Sequence, residues 1–257
     1  MLDNSNIGKL GRHSHNTQLF VGVVRNENAI ARSDNPNLVE SEKTYQEARE
    51  KFITDTTSAY DATQVPTCAD CTIEMAKGFH IHHEDGDHTN NDPSNFKINC
   101  PFCHMTKHLG WVGVNSLGFM VYAPQIPQAT LNQIQIIAYA HEYILNHTKP
   151  SVRYFPTLKR QSHALNMQMQ ALESTKAIVL RDFKTTDPLH FANAFVAMSE
   201  DEYTNRHIGT FSGLRVMFDP SQFQKEIEMF AKYSLSFDEP SNPNHPSQWI
   251  EQAKQIR

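Results

Sequence analysis

Apolar residues recur at helical spacing along the second half of the chain. From Thr130 to His147 they return every three or four positions, and residues 157–182 continue the pattern with Met167 and Met169 among them. A period near 3.6 buries one face of a helix, and unbranched methionines fill irregular gaps in a core. We therefore predict two long helices here and interpret the methionines as core residues.

Three local patterns predict helix starts further along. Asp187-Pro188 and Asp219-Pro220 each place a capping carboxylate before a proline suited to a first helical turn. Ser199 and Glu202 have the spacing of a capping box. Beyond them, the proline-rich residues 240–246 predict an extended tail.

The first half of the chain shows shorter and more varied patterns. Residues 1–40 are rich in Asn and Ser, with one apolar patch, Leu19–Val24, that predicts a strand. Ser41–Phe52 is charged and predicts a helix. The stretches 110–114 and 118–122, punctuated by glycine, predict strands.

All four cysteines fall between these regions as two Cys-x2-Cys pairs. Cys68 and Cys71 are separated by 28 residues from Cys100 and Cys103. This spacing can present four thiolates tetrahedrally to one zinc ion. The alternative is two disulfides, but residues 1–5 lack the basic start and apolar core of a secretory signal. We therefore predict structural Zn²⁺ and a cytoplasmic location.

The segment between the cysteine pairs carries a second candidate site. It contains His82-His83, a glycine at Gly86, and Asn90–Asn95, and Cys100-x2-Cys103 is followed by His104 and His108. This ordered string resembles the HNH, or ββα-metal, family over residues 65–110. The resemblance implies a β-hairpin that carries the histidine pair and a short helix that closes below a metal.

The resemblance also implies roles for these residues. His82 and His104 would bind a second divalent metal (Mg²⁺, Mn²⁺, Ni²⁺ or Zn²⁺), with His108 as a candidate third ligand. His83 would be the general base, since a neutral imidazole near pH 7 suits that task. Asn95 would orient the His83 ring. Such a site cleaves phosphodiester bonds, so DNA is an implied partner.

Each role has an alternative. His83 could be a structural histidine in a zinc fold that has lost activity, and we expect His80 and His88 to be surface residues. Asn90 and Asn91 would satisfy turn backbone. The acidic run at Glu84, Asp85 and Asp87 and the formal net charge of −5 count against tight DNA binding, which usually accompanies a basic surface.

A longer resemblance covers residues 60–233. Residues 110–114, 118–124 and 126–132, Asp187-Pro188 with the helix predicted after it, and residues 213–217 through 223–227 follow one another in the same order as in the DotN (IcmJ) family, which they resemble. This family comprises zinc-binding coupling-complex subunits of type IVB secretion and conjugation systems. That likeness implies a subunit that binds the tail of the coupling ATPase or other apparatus subunits, at the cytoplasmic face of the inner membrane. We expect an apolar groove on the helical region as the partner site.

These observations predict an α+β protein with a zinc-stabilised HNH-like module followed by a mostly helical region. The predicted segments are an N-terminal extension (1–55), the module (56–125) and the helical region with its tail (126–257). The predicted function is that of a DotN-like subunit, with an active HNH endonuclease as the alternative. No apolar run approaches the roughly 18 residues of a membrane span, so we predict no membrane insertion.

Overall fold

A computed structural model describes residues 19–25, 36–58, 66–75 and 77–235. The predictions for residues 1–18 and for the tail at 240–246 lie outside these ranges. The helices of the described residues are α1 Pro36–Ser58, α2 Pro101–Lys107, α3 Leu109–Val114, α4 Gln128–His147, α5 Phe155–Ser174, α6 Lys176–Phe183, α7 Pro188–Ala197, α8 Glu200–Thr204 and α9 Gln224–Leu235.

The described residues also form two small antiparallel sheets of two strands each, which make the structure α+β. Strand β1 (His80–His83) pairs with β2 (Phe96–Asn99), with His82 opposite Lys97 and His83 opposite Phe96. Strand β3 (Gly118–Tyr122) pairs with β4 (Leu214–Phe218). The hairpin formed by β1 and β2 leads directly into α2, so the elements around the candidate site follow the order β1, β2, α2.

The largest buried cluster joins the cysteine segment to the helical region. It contains all four cysteines together with apolar residues of α4, α7, β4 and α9. Phe102 of α2 packs against Phe218 and Phe223, with ring centroids 4.7 and 4.9 Å apart. The cysteine segment and the helices therefore share one core.

A smaller cluster lies on the other face of the hairpin. Ile81, Phe96 and Ile98 are buried there against Tyr45, Ala48, Phe52 and Ile53 of α1. Helix α1 contains the predicted helix at 41–52 and extends it at both ends. It thus covers one face of the hairpin, while α2 lies on the opposite face.

Two predicted strands are wrong. Residues 19–25 form no strand; the Gly22 amide donates to Thr106 O and Gly22 O accepts from Leu109 N, so their backbone partners lie where α2 meets α3. Residues 110–114 lie in helix α3. The absence of a side chain at Gly113 lets α7 approach, since a Cβ there would lie 2.3 Å from Leu189 N.

The helix predicted over 157–182 is interrupted. Helix α5 ends at Ser174 and α6 begins at Lys176. The hydroxyl of Thr175, between them, accepts a hydrogen bond of 3.2 Å from the Tyr122 amide of β3. A contact with a distant strand therefore marks a break that helical spacing does not reveal.

The remaining element predictions are confirmed in most respects. Strand β3 and helix α4 lie where expected, Asp187 caps α7, and the Ser199–Glu202 capping box forms. Asp219 caps a short 3-10 helix rather than α9, which begins at Gln224. In the described part of the chain, no helix is long and apolar enough to cross a membrane.

Candidate metal centres

The four cysteines converge into one buried group. Cys68 is 2% exposed and the other three are fully buried, and the four Sγ atoms all lie within 4.8 Å of one another. All four are free thiols, with Cys71 Sγ and Cys100 Sγ 3.7 Å apart. This buried group could hold a metal ion such as Zn²⁺, as the spacing of the pairs predicts, and the disulfide alternative does not describe this structure.

Local backbone geometry presents the sulfurs. The first pair lies on a tight turn in which Cys68 N donates to Ile73 O and Thr72 adopts a left-handed conformation with φ of 61°. The second pair begins α2, where Cys100 is the N-cap and its sulfur accepts from Cys103 N at 3.3 Å. One turn and one helix start therefore bring the two pairs together.

Asparagine side chains donate to two of the sulfurs, and the thiols of the group interact with one another. Asn132 of α4 donates through Nδ2 to Cys103 Sγ at 3.3 Å, and Asn99 donates to Cys68 Sγ at 3.6 Å. Burial raises the pKa of the Cys71 and Cys103 thiols. Burial also opposes ionisation of Cys68, but hydrogen bonds from the other cysteines outweigh it and hold the pKa of Cys68 well below its usual range. A divalent cation would replace the protons of the remaining thiols.

Three histidines form a second group on the α2 side of the hairpin. His82 of β1, His104 of α2 and His108 directly after α2 each offer one ring nitrogen within 4.8 Å of the others. The His104 and His108 rings are 4.6 Å apart between centroids, and His82 lies 5.5 and 5.6 Å from them. The i, i+4 spacing puts His104 and His108 on one helix face, and the pairing of β1 aims His82 at it.

The donor set fits a divalent metal. His82 Nδ1 and His108 Nε2 are buried and have no hydrogen-bond partner among the residues that the structure describes. Burial lowers the pKa of His82 to about 2 and of His108 to about 4, with Lys107 and neighbouring histidines adding to the effect. Burial also lowers the pKa of His104. The three rings are therefore neutral at pH 7, the form in which imidazole binds a metal.

The His83 side chain points to the face of the hairpin that α1 covers, away from the three histidines. Successive strand residues point to opposite faces, and the His83 ring packs near Tyr45 of α1 and Phe96, with centroids 5.4 and 5.0 Å away. The side chain is 6% exposed. Its Nε2 donates to Asn91 Oδ1 at 3.1 Å, and Asn91 Nδ2 donates to Thr44 Oγ1 of α1. The candidate base is thus held beneath α1.

The predicted hydrogen bond from Asn95 to His83 is wrong. The Asn95 side chain donates to Asp85 Oδ1 at 2.9 Å and to Asn90 O, and accepts from Asp85 N. Asn95 therefore fixes the loop between the strands, and Asn91 contacts the ring instead. Asn91 is four residues closer than Asn95 to the left-handed turn at Gly86, whose φ is +72°, and its amide contacts both His83 and Thr44 of α1.

The acidic run also organises this loop. Asp85 accepts from Asp87 N and Asn90 Nδ2, and Asp87 accepts from Thr89. Glu84 pairs with Lys97 at 3.3 Å. These carboxylates are engaged in local structure and none of them belongs to either metal-ligand group among the described residues.

A cleft of about 600 Å³ opens beside His82, between the hairpin, residues 20–25 and α8. Four basic and four acidic side chains line it. Lys107 contacts Asp70 at 2.9 Å and Arg25 contacts Glu200 at 3.2 Å, while Arg206 donates to the carbonyls of Val21 and Tyr203. The cleft has no excess of either charge that would select a strongly charged partner.

Both histidines that were predicted to be surface residues, His80 and His88, are half-buried. The Nδ1 of His80 lies 3.0 Å from His104 Nδ1, and the His88 ring lies 5.0 Å from the His83 ring. A signal for His80 was present, because residues two apart in a strand share a face and His82 was already a predicted ligand. Asn99 and Asn132 were missed as partners of the cysteines, and a lone asparagine gives no such signal.

Comparisons with known proteins returned no match, either among protein-family models or among curated proteins. The resemblances described above therefore rest on the residues quoted for them.

Proposed function

We propose that this protein is a zinc-organised, DotN (IcmJ)-like subunit of a type IVB secretion or conjugation coupling apparatus. In this proposal its HNH-like hairpin and α2 hold a second divalent metal at His82, His104 and His108. The observation that carries the proposal is the shared core. Asn132 of α4 donates directly to Cys103 Sγ, and α2 packs through Phe102 against β4. The cysteine group thus organises the helical region that would meet a partner.

The surroundings of His83 favour a scaffold over a nuclease ready to act. A general base must reach the water or hydroxyl whose proton it takes, whereas His83 is 6% exposed and hydrogen-bonded to Asn91 under α1. The basic residues Lys97, Lys107 and Arg25 are each paired with an acid. Neither feature supports a phosphate-binding surface.

A groove on the helical region is the proposed partner site. It encloses about 430 Å³ between β3, β4, α4 and α5, and its lining mixes apolar residues such as Met169 with the acids Glu142, Glu173 and Asp219. The predicted groove was apolar, whereas this one also carries carboxylates. We propose that it accepts the tail of the coupling ATPase.

Isothermal titration calorimetry with that ATPase tail tests the proposal. Gln170→Trp places a bulky ring at an exposed position of the groove, and Gln168→Trp adds the same ring at an exposed position of α5 outside it. We expect binding by the wild type, at least tenfold weaker binding by Gln170→Trp and unchanged binding by Gln168→Trp. Absence of binding by the zinc-loaded wild type contradicts the proposal.

An HNH endonuclease is the second candidate, and the convergent histidines favour it. A divalent metal at such a site stabilises charge on the phosphate and on the departing oxygen. His83 would take a proton through Nδ1, because its Nε2–H donates to Asn91. Plasmid nicking with Mg²⁺, Mn²⁺, Ni²⁺ or Ca²⁺, compared with His83→Ala, tests this candidate. Metal-dependent nicking that His83→Ala abolishes supports it, and its absence with every metal contradicts it.

A further inference from the structure

A fourth histidine, His80, lies beside the three whose ring nitrogens converge. His80 Nδ1 lies 3.0 Å from His104 Nδ1, but His80 does not belong to the set whose nitrogens all lie within 4.8 Å of one another. His80 and His82 are two residues apart in β1 and therefore point to the same face. Their rings lie 5.0 and 5.5 Å from His104, so His104 contacts both.

The short contact between His80 and His104 links the tautomers of the two rings. At 3.0 Å, one Nδ1 must carry a proton and the other must accept it. If His104 Nδ1–H is the donor, its Nε2 is unprotonated and available to a metal, and His80 Nδ1 is the acceptor. Ligating histidines almost always donate their second ring nitrogen to such a partner, which fixes the tautomer and the ring orientation.

We propose that His80 is a positioning residue for the metal at His82, His104 and His108, accepting a hydrogen bond from His104 Nδ1 so that His104 binds through Nε2. This inference rests on the metal site of the proposed function and on neither partner binding nor cleavage. The strand supports the arrangement, because His80 is paired with Asn99 next to Cys100. The position of His80 is thus tied to the start of α2, on which His104 lies.

Two variants separate the hydrogen bond from packing. His80→Phe keeps an aromatic ring against His104 but removes the acceptor, whereas His80→Asn keeps an acceptor near the position of Nδ1. The probe is Co²⁺, titrated into protein that already holds zinc at its cysteines and followed by visible absorption. His147→Phe, which removes an exposed histidine of α4, controls for non-specific binding.

We expect His80→Phe to weaken Co²⁺ binding about 10- to 100-fold, the usual effect of losing an outer partner. His80→Asn should remain within about threefold of the wild type by the same reasoning, and His147→Phe should match it. Zinc content should stay at one ion per chain throughout. Equal affinity of His80→Phe and wild type overturns the inference, as does a loss in His80→Asn equal to that in His80→Phe.

A measurement on the unaltered protein covers the case in which a variant fails to fold. Nitrogen-15 NMR of histidine-labelled, metal-loaded protein distinguishes a protonated Nδ1 from a metal-bound one. The inference predicts Nδ1–H and metal-bound Nε2 for His104, and metal-bound Nδ1 overturns it. If the wild type takes up no second metal, the metal site itself falls together with the inference. Failure of tail binding or nicking alone leaves the inference standing.

Discussion

Replacing His82 by leucine separates the structural cost of the histidine group from its metal-binding role. His82 is 7% exposed, and within the described part of the chain its Nδ1 has no hydrogen-bond partner. A buried polar atom without a partner costs about 1–3 kcal/mol, and leucine fills a similar volume without that atom. In protein that holds only the cysteine-bound zinc, we expect His82→Leu to be as stable as the wild type or up to about 3 kcal/mol more stable.

Addition of a second metal should make the wild type more stable than His82→Leu. A ligand present at 100 times its Kd stabilises the folded state by about 2.7 kcal/mol, and His82→Leu should lose most of that gain. Urea unfolding followed by circular dichroism, with and without Co²⁺, measures both effects. His163→Leu alters an exposed histidine of α5 and should change stability by less than about 0.5 kcal/mol.

The opposite pattern of stabilities would show that His82 is not a metal ligand. If His82→Leu is about 2 kcal/mol or more less stable than wild type without the second metal, and keeps the full gain on adding it, His82 is an ordinary packed histidine. The metal site would then lack its strand ligand.

Two further predictions concern acid stability and the contact between α3 and α7. The pKa values of His82 and His108 in the folded protein, about 2 and about 4, lie below the ordinary 6.5. The unfolded chain therefore binds more protons than the folded protein below pH 6.5. Without the second metal, each of these histidines should lower the free energy of unfolding by up to about 1.4 kcal/mol per pH unit as the pH falls from 6.5 to about 4. Urea unfolding midpoints that do not change with pH between 6.5 and 4 contradict this prediction. Gly113→Ala should destabilise the protein by about 1–3 kcal/mol, because its Cβ would lie 2.3 Å from Leu189 N. Gly110→Ala, whose Cβ would make an ordinary contact at 3.6 Å, should be neutral or stabilising by up to about 1 kcal/mol, and thermal melts that rank the two alike contradict the packing argument.

Sequence patterns captured the features that depend on local spacing. The two Cys-x2-Cys pairs and the i, i+4 histidines lie on a turn and a helix whose own geometry brings the ligands together. Capping at Asp187 and Ser199 is also local, since the side chain and the amides it accepts from are neighbours. Such features need no knowledge of the tertiary fold.

Sequence patterns did not reveal the features that depend on contacts between residues far apart in the chain. Helix α3 contains two glycines that lower intrinsic helicity, and its packing against α7 outweighs that preference. The break at Thr175 depends on β3, and strand β4 was not predicted because its five residues are all buried and so show no alternation. Asn91 rather than Asn95 contacts His83, and this contact likewise depends on the position of α1, because Asn91 also donates to Thr44 of that helix.

The burial of His83 under α1 connects the two functional proposals. Tyr45 and Thr44 both lie on α1, one beside the His83 ring and the other hydrogen-bonded to Asn91. A scaffold gains rigidity from this packing. A nuclease would have to expose the ring before His83 could act, which makes the His83→Ala comparison in the nicking assay decisive for that candidate.

The central claim is that one hairpin and one helix organise two different metal centres, and metal stoichiometry combined with cobalt spectroscopy tests it most directly. The account predicts one tightly held zinc that requires Cys71, and a second site that takes Co²⁺ with a spectrum free of thiolate charge-transfer bands and that is lost in His104→Ala. A single metal per chain, or a second Co²⁺ whose spectrum shows thiolate ligation, would contradict the account.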